Sequence, residues 1–178
     1  MKFFLVAAVV LGVIALSQEV FGWRECGSGR SSRKKCFEQI CCSNPSNQIR
    51  GWDAYGSGAY GASRGSRKHR GIDIVCSAGS SVYAPFPATV LRRSIPYRNN
   101  NAAYNNGIYL QGTGSWAGYR VKMWYVTKQV RNGKKLSAGS YIGSMTDRTI
   151  HARGMTNHVH VQLEKNRTIV NPTSYACQ

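Results

Sequence analysis

An unbroken apolar run from Phe3 to Leu16, directly behind Met1-Lys2, decides the chemical environment in which the rest of the chain must fold. One positive charge, a stretch of this length and the less apolar segment Ser17 to Gly22 read as a secretory leader, residues 1–22, with cleavage near Gly22. The run is short for a membrane span and no second one follows it, so no transmembrane segment is expected. A buried N-terminal helix is the competing explanation of the same pattern.

Secretion changes what cysteine means. Beyond Gly22 the chain keeps Cys26, Cys36, Cys41, Cys42, Cys76 and Cys177. In an oxidising compartment this even count favours disulfides throughout. The sequence leaves about 15 pairings open. The neighbours Cys41 and Cys42 cannot easily bond to each other, so they are expected to reach different partners. A thiolate metal site would call for a CxxC pair, which is absent.

The chain carries 24 Lys and Arg against 7 Asp and Glu, a formal net charge of +17. Such a surface attracts polyanions. Secretion makes nucleic acid a poor target, which leaves anionic glycans and bacterial envelopes. Plain solubility accounts for the charge equally well. The segment Asn166-Arg167-Thr168 is a glycosylation sequon, so Asn166 is a candidate acceptor.

Residues 23–40 form a basic, cysteine-bearing extension without periodicity, and residues 51–68, rich in Gly, Ser and Tyr, read as a long loop. From residue 71 onward the pattern is that of short strands: 71–75, 81–84, 88–91, 108–110, 119–126, 141–142 and 158–163. Residues 99–106 are asparagine-rich and read as a loop, with Asn106-Gly107 as a hairpin signal. The expected class is mainly β, a small open antiparallel barrel or sandwich in one domain over 41–178.

The four histidines are unevenly placed. His69 stands four residues before Asp73, and His158 two residues before His160. In a strand, residues two apart share a face, so both imidazoles of His158-Val159-His160 project together while Val159 and Val161 face the other way. Asp73 sits among Ile72, Ile74 and Val75, where an unpaired carboxylate would be costly. Two imidazoles and a carboxylate suit tetrahedral Zn2+ with an open fourth position. Taken singly, an exposed strand pair explains the HxH and a solvated loop explains the HxxxD. His151 reads as a surface residue.

Longer segments carry a resemblance: Asn47-Gln-Ile-Arg50, Arg67-Lys-His-Arg-Gly-Ile-Asp73, Cys76-Ser-Ala-Gly-Ser80, Val82-Tyr-Ala-Pro-Phe86, Asn105-Asn-Gly107, Val121-Lys-Met-Trp-Tyr125 and His158-Val-His160. From about Cys41 to Tyr175 the chain resembles the leukocyte cell-derived chemotaxin 2 and myeloid protein 1 family, whose fold is that of lysostaphin-type zinc endopeptidases. The resemblance implies that His69, Asp73 and His160 hold zinc and that His158 stands where peptidases keep a catalytic histidine. It sets Tyr125 where they keep a second one. It also implies a Cys41–Cys76 disulfide. Two further family disulfides have no counterpart, because Trp52, Ser57 and Arg120 stand at their positions. Cys26, Cys36, Cys42 and Cys177 then make a separate set.

The expected function is that of a secreted zinc protein acting by binding, a chemotactic, cytokine-like factor of innate immunity, on a cell-surface receptor or an anionic surface. A peptidase of bacterial peptidoglycan peptides is one alternative. A cationic module using Arg33, Lys34, Lys35, Arg64, Arg67, Lys68 and Arg70 is another. The sequence does not set the oligomeric state.

Overall fold

The computed structural model describes residues 34–98 and 104–177. The leader, Cys26, Arg33 and residues 99–103 lie outside the described residues. The described chain forms strands β1 (Ser63–Arg64), β2 (Arg67–Lys68), β3 (Ile72–Val75), β4 (Ser81–Tyr83), β5 (Ala88–Arg93) and β6 (Gly107–Gly112). These are followed by β7 (Tyr119–Trp124), β8 (Val126–Lys128), β9 (Lys135–Leu136), β10 (Tyr141–Met145), β11 (His158–Lys165) and β12 (Thr168–Val170). Two 3-10 turns, Gly114–Trp116 and Thr173–Tyr175, complete it.

The large sheet runs β12-β11-β7-β6-β5-β9, with β3 added beside β11. A small sheet runs β4-β10-β8, and β1 and β2 make a separate hairpin. Every ladder is antiparallel. One apolar cluster draws on both sheets, as the expected sandwich requires: Ile72, Ile74, Val121, Met123, Val159 and Val161 from the large one, Val82, Val126 and Ile142 from the small one.

Strand β11 shows how sequence produces this. Val159, Val161 and Leu163 alternate into the cluster with no exposed surface. His158, His160, Gln162 and Glu164 point to the opposite face, yet they too are buried. One face of β11 therefore builds the core while the other floors a polar site. Its register is fixed on both sides, His160 lying opposite Asp73 on β3 and Trp124 on β7.

Two expectations are modified. The stretch 119–126 is not one strand: Tyr125 has φ 68°, a left-handed conformation. Such a conformation is uncommon for a bulky residue. Its N–H donates to the Asn106 carbonyl at 2.7 Å, and its own carbonyl accepts the Thr146 N–H at 2.8 Å. The chain leaves the large sheet at this residue and enters the small one. Gly107 does not close a two-residue turn either. It lies within β6, where an added Cβ would stand 2.4 Å from the Met123 carbonyl oxygen. The tight turn is found at Asn166-Arg167 instead, both with positive φ, linking β11 to β12. Asn166 is exposed there.

The lead segment is irregular but packed from Cys36 onward. Cys36 is bonded to Cys177. Phe37 and Ile40 are buried, and Phe37 joins Phe86, Trp116 and Tyr175 in an aromatic cluster. Cys41 and Cys76, both fully buried, are bonded to each other. Cys42 is also disulfide-bonded.

The Cys41–Cys76 bond closes 35 residues of chain. Its removal as the double variant Cys41→Ala/Cys76→Ala is expected to lower the unfolding free energy by about 3–4 kcal/mol. Urea unfolding of wild type and variant measures this, and a loss under about 1 kcal/mol would show that packing alone sets the loop.

Candidate metal centre

Three donors meet over the polar face of β11. His69 Nε2 lies 3.2 Å from Asp73 Oδ1, His160 Nδ1 lies 2.9 Å from that oxygen, and the two nitrogens are 3.0 Å apart. All three residues are buried. Metal bonds of about 2.0–2.1 Å at tetrahedral angles put neighbouring donors about 3.3–3.4 Å apart. The observed triangle needs to open only slightly to hold a small divalent cation.

Outer hydrogen bonds select the right lone pairs. His69 Nδ1 donates to the Ala59 carbonyl at 2.8 Å, since a carbonyl can only accept. That leaves Nε2 unprotonated and facing the triangle. His158 Nδ1 donates likewise to the Thr156 carbonyl at 2.7 Å, leaving its Nε2 as an acceptor 3.6 Å from Asp73 Oδ1. Such outer partners are what orients metal-binding imidazoles. His160 differs. With Nδ1 in the triangle, its Nε2 has no hydrogen-bond partner among the described residues. Its ring lies stacked on Trp124, centroids 4.7 Å apart.

Asp73 is held from behind by Arg50. Arg50 Nη2 reaches Oδ2 at 2.9 Å, and the side chain of Arg50 is 2 % exposed. Arg50 Nη1 also donates to the Gly56 carbonyl and pairs with Asp53. Arg64 comes within 3.6 Å of Asp73 Oδ2. One carboxylate oxygen thus serves the guanidinium and the other the triangle. Burial pushes the Asp73 pKa up, but the close contacts with His160 and His69 and the charges of His158 and His160 outweigh it and hold the group well below the carboxylate range. Burial lowers the pKa of His158 and of His160, with Asp73 opposing.

Tyr125 faces His158 edge-on with ring centroids 5.3 Å apart. Its hydroxyl is 3.2 Å from that of Tyr97, and the Arg148 guanidinium lies 4.1 Å above its ring. Burial, then the neighbouring Tyr97, pushes its phenol pKa further upward. His151 is exposed as expected, though its ring packs at a tilt against Tyr104. Four residues at the site were given no part in it by the sequence: Arg50, Arg64, Trp124 and Arg148. Only Arg50 had a usable signal, because an aspartate inside an apolar strand calls for a cation.

Two buried imidazoles and a carboxylate on the polar face of an antiparallel sheet, with the third imidazole of His158 beside them, define a β domain with a candidate metal centre. Residues 67–172 match peptidase family M23. The chain is 40% identical over 139 residues to leukocyte cell-derived chemotaxin-2 of Mus musculus, covering 78% of this chain and 86% of the relative. It is 38% identical to myeloid protein 1 of Gallus gallus over 126 residues, 69% of this chain and 37% of the relative. The solution structure of lysostaphin shares the fold with a TM-score of 0.54 at 20% identity, covering 78% of this chain and 54% of lysostaphin. A zinc-containing peptidase from Vibrio cholerae gives a TM-score of 0.50 at 19% identity, over 75% of this chain and 39% of that one. The chain therefore spans about half of lysostaphin or less of these larger neighbours. The chain belongs to peptidase family M23, in the branch of the leukocyte cell-derived chemotaxin-2 proteins.

Two outcomes are expected. Arg50→Ala leaves the Asp73 charge without its buried partner, so it should cost about 3–5 kcal/mol of stability and about 10–100-fold in metal affinity. Thermal melting and zinc titration read these effects, and an unchanged variant would remove Arg50 from the site. In the metal-free protein, His158 and His160 resist protonation that the unfolded chain accepts near 6.5. Stability is thus full above about pH 6.5 and falls as pH drops below it, with Asp73 adding loss in the same direction below about pH 4. Urea midpoints that stay flat from pH 7 to pH 5 would contradict this.

Proposed function

We propose that this is a secreted zinc-binding protein that acts by binding, as a leukocyte chemotactic factor of innate immunity, and that it does not cleave peptides. Residues 1–22 would be the secretory leader and 23–40 a basic extension ahead of the zinc domain. The disulfides Cys36–Cys177 and Cys41–Cys76 are consistent with an oxidising compartment. Among the described residues no helix is long and apolar enough to cross a membrane. The names of the mouse and bovine relatives support chemotaxis.

His69, Asp73 and His160 would hold the zinc, since two imidazoles and one carboxylate suit that ion. Bound there, it supplies a Lewis acid and a cross-link between the segment at His69 and β11. Metal held only by the folded state adds to stability.

Tyr125 is the observation that carries the reading. Amide hydrolysis at such a centre requires a group that shuttles a proton or steadies the developing oxyanion. Histidine titrates near neutral pH, whereas a phenol ordinarily titrates near 10, and this one is pushed higher. Loss of one such group commonly costs about a hundredfold or more. The left-handed backbone and the Tyr97 contact fix the phenol in place.

A peptidase is the second reading, favoured by one observation: His158 keeps Nε2 free of its own Nδ1–H bond and close to Asp73. Hydrolysis of glycyl-bridge peptides and clearing of Gram-positive cells discriminate between the two. Wild type and His158→Ala are expected to give the same negligible rate. Cleavage by wild type that His158→Ala abolishes would establish the peptidase. Independently, chelation should lower the melting temperature and added Zn2+ restore it; melting indifferent to both would refute the structural metal.

A further inference from the structure

The chain places an asparagine two residues before a hydroxyl at three points: Asn44-Pro45-Ser46, Asn166-Arg167-Thr168 and Asn171-Pro172-Thr173. A central proline disqualifies the first and the last as acceptors of an N-linked glycan. The fold disqualifies them a second time. Asn44 is buried, and its Nδ2 donates to the carbonyls of Gln48 at 3.0 Å and Val75 at 2.9 Å. Asn171 is engaged through Oδ1, which accepts the Thr173 N–H at 3.0 Å.

The middle tripeptide has the opposite surroundings. Asn166 and Arg167 form the two-residue turn between β11 and β12, with Lys165 opposite Thr168. Residues 165–168 are all exposed. The φ values of 49° at Asn166 and 67° at Arg167 suit a tight hairpin turn, which favours Asn at its first central position. The Asn166 N–H donates to the Gly118 carbonyl at 2.8 Å, so the tip is pinned to the chain just before β7. The side chain leans the same way, since a Cβ on Gly118 would stand 2.9 Å from Asn166 Oδ1. In a planar amide the oxygen and the nitrogen lie on opposite sides of Cγ. Oδ1 on the protein side therefore turns Nδ2, the atom that takes a glycan, away from it.

We infer that Asn166 is an N-glycosylation site. The co-reactant is an oligosaccharide carried on a lipid pyrophosphate, with N-acetylglucosamine at its reducing end. Asn166 Nδ2 bonds to C1 of that sugar, the bond from C1 to the pyrophosphate oxygen breaks, Nδ2 releases one proton, and the lipid pyrophosphate leaves. Transfer requires entry into the secretory lumen, so the inference rests on the reading of residues 1–22 as a secretory leader. The fold contributes room for a bulky, solubilising group at its surface. The turn lies at the far end of β11 from His158, and a rise of about 3.3 Å per residue puts the two about 25 Å apart. A glycan on the turn leaves the metal donors uncovered.

The test expresses the full chain in cultured animal cells and compares wild type with Asn166→Gln, Thr168→Ala and Thr168→Ser. Wild type recovered from the medium is expected to run as a slow band that collapses to one faster band on treatment with peptide N-glycosidase, which leaves Asp at position 166 in the peptide mass spectrum. Asn166→Gln and Thr168→Ala are each expected to lose the whole shift. Thr168→Ser, which keeps the hydroxyl, is expected to retain it. All of these changes fall on exposed residues, and either loss variant suffices if the other is not recovered. Wild type secreted without a shift would overturn the modification and leave the secretory reading standing. A shift that survives Asn166→Gln would overturn Asn166 as the acceptor. A chain kept inside the cell with residues 1–22 still attached would sink the secretory reading, and the modification would fall with it.

Discussion

The carboxylate of Asp73 lies on β3 between the fully buried Ile72 and Ile74, and a bare charge in that position would be untenable. Arg50 takes one oxygen, and His69 and His160 converge on the other. The backbone follows the same plan. The Arg50 N–H donates to the Asp73 carbonyl, and the Asp73 N–H donates to the Gly58 carbonyl. The segment from Gln48 to Gly58 thereby covers the free edge of β3. Glycine is required at 58, where a Cβ would meet the Arg50 carbonyl oxygen at 2.7 Å. Compensation of one charge thus places a loop, closes a sheet edge and aims a metal triangle.

The same geometry separates two roles that a peptidase of this family would combine. Two donors belong to β3 and β11 of the large sheet, and the third, His69, is the residue that follows β2. Tyr125 belongs to the point where the chain changes sheets, and its neighbours Tyr97, Arg148 and His158 come from separate elements. Holding a metal and handling a proton are therefore under different structural control. The first is locked to the core, and the second to a single bend.

What could be read from the sequence divides along this line. The two-residue period of His158-Val159-His160-Val161 reveals its faces directly, because strand geometry imposes it. The mainly β class and the approximate strand positions follow from alternation and turn residues. The left-handed turn at Tyr125 has no such signature: neither Tyr125 nor Val126 resists an extended conformation, and tertiary bonds to Asn106 and Thr146 impose the bend. Gly107 carries a turn signal but serves close contact with β7. Arg50 meets Asp73 across 23 residues and Cys36 meets Cys177 across 141, separations at which no local pattern survives. The Cys41–Cys76 pair was legible only through the family resemblance.

Strand β11 has no spare face. Shifting it by one residue would drive His158, His160, Gln162 and Glu164 into the apolar cluster and strip the donors from the site together. The ligand set is consequently as hard to discard as the hydrophobic interior, since both are written on alternate residues of one segment. The bend at Tyr125 carries no such double duty. A substitution at that bend can therefore change the chemistry beside the candidate metal centre while leaving the three donors in place.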